Sequence, residues 1–197
     1  SFAALMNAHA ECGAVSQAAE LLSKMRKVGL RPNAYCYNAL IRACARRGDV
    51  QRSEHWFGEL CKAGLTPDRD AYVELMNACA KVGDTRRASH WLEAMEGAGL
   101  SADAVPYNAL ISSCARRGDV AQAAHLLQRM IQSGVAADVM SYNSVINCCA
   151  KKGEASMAER WLSHMQDAGI RPTVVSYTAV IDSCAKAGEP ARAARWF

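Results

Sequence analysis

The segment Tyr37–Val50 reads YNALIRACARRGDV, and the segment Tyr107–Val120 reads YNALISSCARRGDV. The two segments differ at only two positions and begin 70 residues apart. Half that distance leads from Tyr37 to Tyr72, where YVELMNACAKVGDT begins. The same step of 35 residues leads to the further copies that begin at Phe2, Tyr142 and Tyr177. The chain is therefore an array of sequence repeats, and this period decides its fold.

The period applies to all 197 residues without an insertion. We expect one array with whole units at 34–68, 69–103, 104–138 and 139–173 and partial units at 1–33 and 174–197. Because both ends interrupt a unit, we expect the chain to be a piece of a longer protein.

Apolar spacing predicts two helices in each unit. In the first helix, apolar residues stand at i, i+3, i+4 and i+7, which is the spacing of one helix face. In one unit these residues are Tyr37, Leu40, Ile41 and Cys44. A Gly-Asp pair such as Gly48-Asp49 follows, in which the glycine suits a helix end and the aspartate suits the next N-cap. Glu154 and Glu189 replace this aspartate in the last two units, where we expect weaker caps.

The second helix of each unit carries an alanine, a bulky apolar pair and a methionine, and we expect it to end at a glycine such as Gly99. Three prolines that follow second helices, Pro32, Pro67 and Pro172, are expected to stop them. Because one helical hairpin cannot bury its apolar face alone, successive hairpins must stack. The sequence therefore predicts an all-α fold of the solenoid type.

Composition and motifs argue against several other classes. Hydrophobic residues make up 51% of the chain and charged residues 21%, as in a folded protein. No apolar run approaches the roughly 18 residues of a membrane span. The nine cysteines include no CxxC pair, so we expect neither a disulfide framework nor a metal site. No catalytic constellation is found, and we expect no enzyme activity and no cofactor.

The repeat motifs resemble those of the pentatricopeptide repeat (PPR) family. Tyr-Asn or Tyr-Thr opens the first helix, Arg-Gly-Asp or a similar triplet joins the helices, and Pro-Asn or Pro-Asp ends several units. The resemblance covers essentially the whole chain and its plain units of 35 residues. The tetratricopeptide repeat differs, since its period is about 34 residues and its Trp lies in the first helix. The resemblance implies a right-handed α-solenoid that binds single-stranded RNA, one base per repeat.

The resemblance also implies which residues read the bases. In each unit they are the residue after the first-helix Tyr or Phe, called position 5, and the last residue of the unit. In chain order these pairs are Ala3 with Asn33, Asn38 with Asp68, Val73 with Asp103, Asn108 with Asp138, and Asn143 with Thr173, followed by Thr178 without its partner. The residue at position 2 is expected to pack on the base. The suitable residues there are Tyr35, Val105, Met140 and Val175, whereas Asp70 does not fit.

Helical spacing places a cation on the same face as position 5. Positions 5, 9 and 13 lie at i, i+4 and i+8, so they share one side of the first helix. Position 13 is basic in five units, and we expect these residues to contact phosphates. They are Arg46, Lys81, Arg116, Lys151 and Lys186.

By the resemblance, the Asn-Asp pairs prefer uridine and Asn143 with Thr173 prefers a pyrimidine. The predicted target is a pyrimidine-leaning RNA with the pattern any–U–any–U–pyrimidine–purine from 5′ to 3′. Such a protein acts in RNA stability, processing or translation in a mitochondrion or chloroplast. Two alternatives stay open. They are a protein-binding helical scaffold and the RNA-targeting arm of a nuclease or editing enzyme whose catalytic domain lies outside this chain.

Several recurring residues also have structural interpretations. The repeated cysteines Cys44, Cys79, Cys114, Cys149 and Cys184 are expected to be small buried residues rather than metal or redox groups. The histidines His55, His90 and His125 are too far apart by repeat spacing to converge on a metal. The tryptophans of the second helices are expected in the core. Asn38, Asn108 and Asn143 have an alternative role in satisfying backbone N–H groups of their own helix start.

Overall fold

The computed structural model describes residues 2–196, although not the side chains of residues 2 and 3. Every regular element in this range is helical, which confirms the all-α fold class. The helices are α1 (Phe2–Glu11), α2 (Val15–Lys27), α3 (Ala34–Arg47), α4 (Val50–Lys62), α5 (Arg69–Val82), α6 (Thr85–Gly97), α7 (Ala104–Arg117), α8 (Val120–Gln132), α9 (Val139–Lys152), α10 (Ala155–Asp167), α11 (Val174–Lys186) and α12 (Pro190–Ala193), followed by a 3₁₀ turn over Ala194–Trp196. Within residues 2–196, no helix has the length and apolar character required to cross a membrane.

The chain forms two compact structural units, Ser1–Ala102 and Asp103–Phe197, each of which contains several of the 35-residue repeats. They are called the first unit and the second unit below. In the first unit, the first helices α1, α3 and α5 pack side by side, and each contacts the second helix that follows it. The second unit repeats this arrangement with α7, α9 and α11 and their partners α8, α10 and α12. Stacking of helical hairpins is therefore observed within each unit. The division into repeat units of 35 residues stays a prediction.

The Gly-Asp pairs join the two helices of a hairpin as the sequence predicts. Gly48 has a φ of +69°, a left-handed conformation that favours glycine. The Asp49 carboxylate then accepts a hydrogen bond of 3.0 Å from the Arg52 backbone N–H and caps α4. Asp84 and Asp119 cap their helices in the same way. Glu154 makes no side-chain cap bond at α10, which confirms the weaker cap expected there.

The second helices end earlier than their prolines predict. Helix α2 ends at Lys27 and α10 ends at Asp167, each five residues before the following proline. Gly29 turns the chain with a φ of +75°, and the Leu30 N–H donates to the Met25 carbonyl at 3.0 Å. This bond pattern closes a helix at a left-handed glycine. The expected end at the glycine is therefore confirmed, and the further prediction that the prolines stop these helices is wrong, because the glycine turn ends them first.

Interior positions of the hairpins hold the recurring cysteines. Cys44, Cys79 and Cys114 are fully buried, as are Cys149 and Cys184. Burial raises the pKa of the Cys44 thiol to about 11 and that of Cys79 to about 12, so these thiols stay protonated. Such thiols behave as small apolar packing groups, as the sequence predicts. Among the residues described, no cluster of metal-ligating side chains occurs.

The tryptophans of the second helices are less buried than expected. Trp161 is buried, whereas Trp91 and Trp196 are only partly buried. Both of these indole N–H groups donate to carboxylates of the preceding second helix, Trp91 to Glu54 at 3.3 Å and Trp196 to Glu159 at 3.0 Å. A core position would hide this polar edge, so the two side chains lie at the rim of the core instead.

Candidate nucleic-acid interface

The first candidate base-reading pair is assembled between neighbouring helices of the first unit. The Asn38 side chain, on α3, donates from Nδ2 to both carboxylate oxygens of Asp68, at 2.9 and 2.8 Å. Asp68 is the N-cap of α5 and accepts the Ala71 backbone N–H at 3.0 Å. One carboxylate therefore begins α5 and also holds the Asn38 amide. The two residues lie 30 positions apart in the sequence, and packing of α3 on α5 brings them together.

The second unit contains the corresponding pair, Asn108 with Asp138, in a looser geometry. Asn108 Nδ2 lies 3.4 and 3.2 Å from the two Asp138 oxygens. The Ser141 hydroxyl contacts the other end of the amide, with Oγ 2.6 Å from Asn108 Oδ1. Burial alone raises the pKa of the Asp138 carboxyl. The hydrogen bonds from Ser141 and Asn108 outweigh burial and lower that pKa below its ordinary value.

The third pair, Asn143 with Thr173, is the weakest. Asn143 Nδ2 lies 3.5 Å from the Thr173 hydroxyl, at the limit of a hydrogen bond. The Ser176 hydroxyl lies 2.6 Å from Asn143 Oδ1. Thr178, at position 5 of the last repeat, donates instead to the Val174 carbonyl of its own helix at 2.7 Å.

These contacts bear on the alternative role of the three asparagines, in which they satisfy backbone N–H groups at the start of their own helix. The side chains of Asn38, Asn108 and Asn143 bind residues 30 positions ahead, at the start of the next first helix. They do not cap the N-terminus of their own helix, so that interpretation is wrong. The amides instead face the residue that the family resemblance pairs with each of them.

The remaining candidate readers have different surroundings. Asn33 is exposed and caps α3, where it accepts the Cys36 N–H at 3.2 Å. Val73 is a half-buried apolar residue on α5. Asp103 caps α7 and accepts the Val105 N–H at 3.0 Å. Ala3 lies in α1, and its side chain falls outside the described residues.

The position-2 side chains are among the most exposed large apolar groups. Tyr35 is 48% exposed, Val105 58%, Met140 61% and Val175 54%. Each lies in the first turn of its helix, three residues before the position-5 residue. An exposed apolar side chain beside a carboxamide can cover the face of a base while the amide contacts the edge of that base. Asp70 occupies the same place on α5, where its charge disfavours a phosphate strand.

The predicted phosphate contacts all lie at exposed positions, and they also interact with other groups of the protein. Arg46 forms a salt bridge with Glu11, and Lys81 donates to the Arg46 carbonyl. In the second unit, Lys151 donates to the Ala115 carbonyl at 3.3 Å, and Lys186 lies 2.7 Å from Asp182. Arg116 is exposed as well, and it too has an interaction within the protein.

Sequence reasoning missed two groups of residues. Ser141 and Ser176 occupy the same repeat position and bind the carbonyl ends of Asn108 and Asn143. Glu74 and Glu11 pair with arginines of the first unit. Glu74 lies 3.0 Å from the Arg42 guanidinium, and Glu11 forms a salt bridge with Arg46. Alignment of the repeats holds a signal for Glu11, which stands where later repeats have a cation. The serines recur at position 3 of their repeats, and the family resemblance does not name this position as a base-reading one.

Family models match most of the chain. The model of the PPR repeat family matches residues 1–46, 102–151 and 137–186. A pentatricopeptide repeat domain model matches residues 55–117, and a PPR repeat model matches residues 35–65. The chain belongs to the pentatricopeptide repeat family. A search of curated proteins finds no significant match.

Solved PPR structures resemble this chain. The crystal structure of PPR10 from maize matches with a TM-score of 0.69 and 25% identity, over 99% of this chain and 32% of that one. PPR10 in complex with an 18-nt psaJ RNA element matches with a TM-score of 0.61 and 25% identity, over 99% and 34%. The PPR domain of Arabidopsis thaliana protein-only RNase P 1, in complex with tRNA, matches with a TM-score of 0.77 and 17% identity, over 94% and 100%. The chain thus spans about a third of the length of PPR10.

Proposed function

We propose that this PPR chain binds single-stranded RNA and reads one base with each repeat. One observation carries the proposal. In three of the four whole repeats, a carboxamide at position 5 faces the last residue of its repeat, with distances of 2.8 to 3.5 Å. Each amide carries a donor, Nδ2, and lies on a helix whose first turn holds an exposed apolar side chain. This combination suits an unstacked base, whose edge needs hydrogen bonds and whose face needs an apolar contact.

Base choice follows from the groups that each pair offers. The Nδ2 group of Asn38 or Asn108 is a donor, and a carboxylate orients it. A donor suits the carbonyl oxygens of uracil better than the exocyclic amino group of cytosine. The proposed target is therefore any–U–any–U–pyrimidine–purine, with Val73 and Ala3 making no polar choice. Thr178 is proposed to favour a purine.

The backbone of the RNA is proposed to run along the exposed cations at position 13. In the second unit these are Arg116, Lys151 and Lys186. The carbonyl partner of Lys151 is uncharged, so this ammonium keeps its full charge for a phosphate. The net charge of +4 is modest, and we expect a moderate dependence of affinity on salt.

The comparisons support RNA as the ligand class. PPR10 shares 25% identity with nearly all of this chain and was solved with an RNA element. The RNase P domain, at 17% identity, supports only the fold. The cellular role that we propose is that of a non-enzymatic factor in RNA stability, processing or translation. Its proposed location is a mitochondrion or chloroplast, which a fluorescent fusion of the full-length protein tests.

The binding proposal is tested with labelled RNA and the chain of 197 residues. We expect the single-stranded RNA AUAUUA, embedded in oligo(A), to bind more tightly than oligo(A) alone in fluorescence anisotropy at fixed salt. The double variant Asn108→Ala with Asn143→Ala is expected to lose that preference. Equal binding of the two RNAs by the unmodified chain would contradict base reading. Absence of binding to any RNA would favour the protein-binding scaffold.

A further inference from the structure

Three asparagines at position 5 meet different residues 33 positions later. Asn108 meets Ser141 and Asn143 meets Ser176, whereas the residue in the corresponding place after Asn38 is Ala71. Both serines are fully buried, so their hydroxyls are held in place by their surroundings. The neighbouring residue in the next first helix therefore differs between otherwise similar base-reading sites.

The geometry determines the direction of the serine hydrogen bond. The Asp138 backbone N–H donates to Ser141 Oγ at 3.1 Å and occupies one acceptor site of the hydroxyl. Two acceptors lie within reach of the Ser141 proton, Asp138 Oδ1 at 2.9 Å and Asn108 Oδ1 at 2.6 Å, and the shorter distance favours Asn108. A distance this short is typical of O–H···O bonds and is shorter than typical N–H···O bonds. The same arrangement recurs at Ser176, which accepts the Thr173 N–H at 3.0 Å and lies 2.6 Å from Asn143 Oδ1.

Orientation of the amide matters because a carboxamide has two unlike ends. One end donates and the other accepts, and rotation by half a turn exchanges them. A site that presents the donor end favours the O4 acceptor of uracil, whereas the reversed amide favours the N4 amino donor of cytosine. The repeat that contains Asn143 ends in Thr173. The Thr173 hydroxyl both donates and accepts, so it does not by itself select an orientation of the Asn143 amide. The Ser176 hydroxyl already accepts the Thr173 backbone N–H, and its own proton, 2.6 Å from Asn143 Oδ1 by the Oγ position, favours one orientation there.

The first unit shows the consequence of the missing hydroxyl. Asn38 is only 6% exposed, and its Oδ1 has no hydrogen-bond partner among the residues described. The residue lies at a cavity of about 100 Å³ that Tyr35 and Asp70 also line. Its Nδ2 is bound to both oxygens of Asp68, so the amide is drawn towards the carboxylate. The donor end is therefore less available to a base than that of Asn108, which is half-buried.

We propose that Ser141 and Ser176 are positioning residues that orient the amides of Asn108 and Asn143 and so set the preference for uracil over cytosine. The inference rests on the proposed function, because it concerns how the base-reading sites work. The orienting role thus falls to the third residue of the following 35-residue repeat. This residue is proposed to act through the asparagine and not by contact with the base. It also makes Asn38 the weaker of the two Asn-Asp sites.

The test measures a ratio of affinities. The probes are AUAUUA and AUACUA, each embedded in oligo(A), which differ at the nucleotide proposed to face Asn108. We expect Ser141→Ala to reduce the preference for the uridine probe about fivefold, the worth of one hydrogen bond. Ser141→Thr retains a hydroxyl and is expected to retain the preference. The matched control is Ser183→Ala, which removes another buried hydroxyl that has no partner among the described residues.

Two further results separate the inference from the proposed function. If the unmodified chain binds both probes equally, base reading itself is wrong. If it prefers uridine and Ser141→Ala weakens both probes equally, the serine is only structural and the inference is wrong. Should Ser141→Ala fail to fold by circular dichroism, Ala71→Ser decides. We expect this variant to raise the preference for AUAUUA over ACAUUA about fivefold, and an unchanged ratio would overturn the inference.

Discussion

The Asn38 site of the first unit and the Asn108 site of the second share the same two reading residues but differ in structure. At the first site the amide is buried, and its Nδ2 lies within 2.9 Å of both Asp68 oxygens. At the second site the amide is half-buried, and its Nδ2 lies 3.2 Å or more from Asp138. Equal reading residues therefore do not make equal sites, because residues of the adjoining helices decide how the amide is held.

Charge distinguishes the two regions as well. Beside the first site, Arg42 pairs with Glu74 at 3.0 Å, and Arg46 pairs with Glu11. In the second unit, the equivalents of Arg42 and Glu74 are Ser112 and Ser144, whose hydroxyls lie 3.2 Å apart. The first region thus neutralises its own cations with acids, whereas this part of the second region is uncharged. At these positions an RNA strand has to compete with carboxylates in the first region but not in the second.

The largest expected effect is loss of base preference at the second site. Asn108→Ala removes the donor that contacts uracil, and we expect about tenfold weaker binding of AUAUUA in fluorescence anisotropy. Asn38→Ala is the matched variant at the first site, with an expected loss of about threefold, because that amide is already held by Asp68. A larger loss for Asn38→Ala than for Asn108→Ala would reverse the comparison.

The next effect concerns the neutralised arginines. The double variant Glu11→Gln with Glu74→Gln releases Arg46 and Arg42 from their carboxylate partners. We expect about fivefold tighter RNA binding and a steeper salt dependence, by about 0.7 in the log-log slope for each new phosphate contact. The control is Ser112→Ala with Ser144→Ala, which changes no charge. An unchanged slope in the glutamine variant would show that these arginines do not meet phosphates.

A smaller effect is expected on stability. Ala71→Ser offers a donor to the unpartnered Oδ1 of Asn38, and we expect the free energy of unfolding to rise by about 1 kcal/mol. Ser141→Ala removes such a donor in the second unit and is expected to lower it by a similar amount. Urea unfolding followed by circular dichroism measures both. If Ala71→Ser destabilises the chain, the two sites do not share the geometry that their alignment implies.

The smallest effect is a dependence on pH. Hydrogen bonds hold the pKa of folded Asp138 below its ordinary value of 3.8. A lowered folded pKa means that this carboxylate stabilises the fold above the unfolded pKa and loses its contribution as the pH falls through the folded pKa. We expect Asp138→Asn to reduce the stability difference between about pH 6 and about pH 3, measured by urea midpoints. An equal difference in both proteins would contradict the prediction.

Much of the fold was predictable because repetition confirms each local pattern several times. The same helix spacing and Gly-Asp junction recur in successive units, so the helices, their caps at Asp49, Asp84 and Asp119, and the buried cysteines all followed from the sequence. The weaker cap at Glu154 was also predictable from side-chain length. The end of each second helix at its glycine was predictable too, whereas the role given to the prolines was wrong, because the glycine comes first along the chain.

The candidate site was only partly predictable. Position 5 and the last residue of the unit were paired by resemblance, and the distance from Asn38 to Asp68 agrees with that pairing. The partners of the cations were not predicted, because Arg46 and Glu11 are 35 residues apart and meet only when α1 packs on α3. The serine contacts were missed for the same reason, since each joins two helices across 33 residues.

The sequence by itself determined the period, the all-α class and the family, since these depend on local spacing and on motifs that recur in every unit. The tertiary structure decided how each amide is oriented, which cations are already paired, and which oxygen remains without a donor. These properties depend on distances between side chains of neighbouring helices. Such distances arise only when the first helices pack against each other, so two copies of the same motif end in different environments.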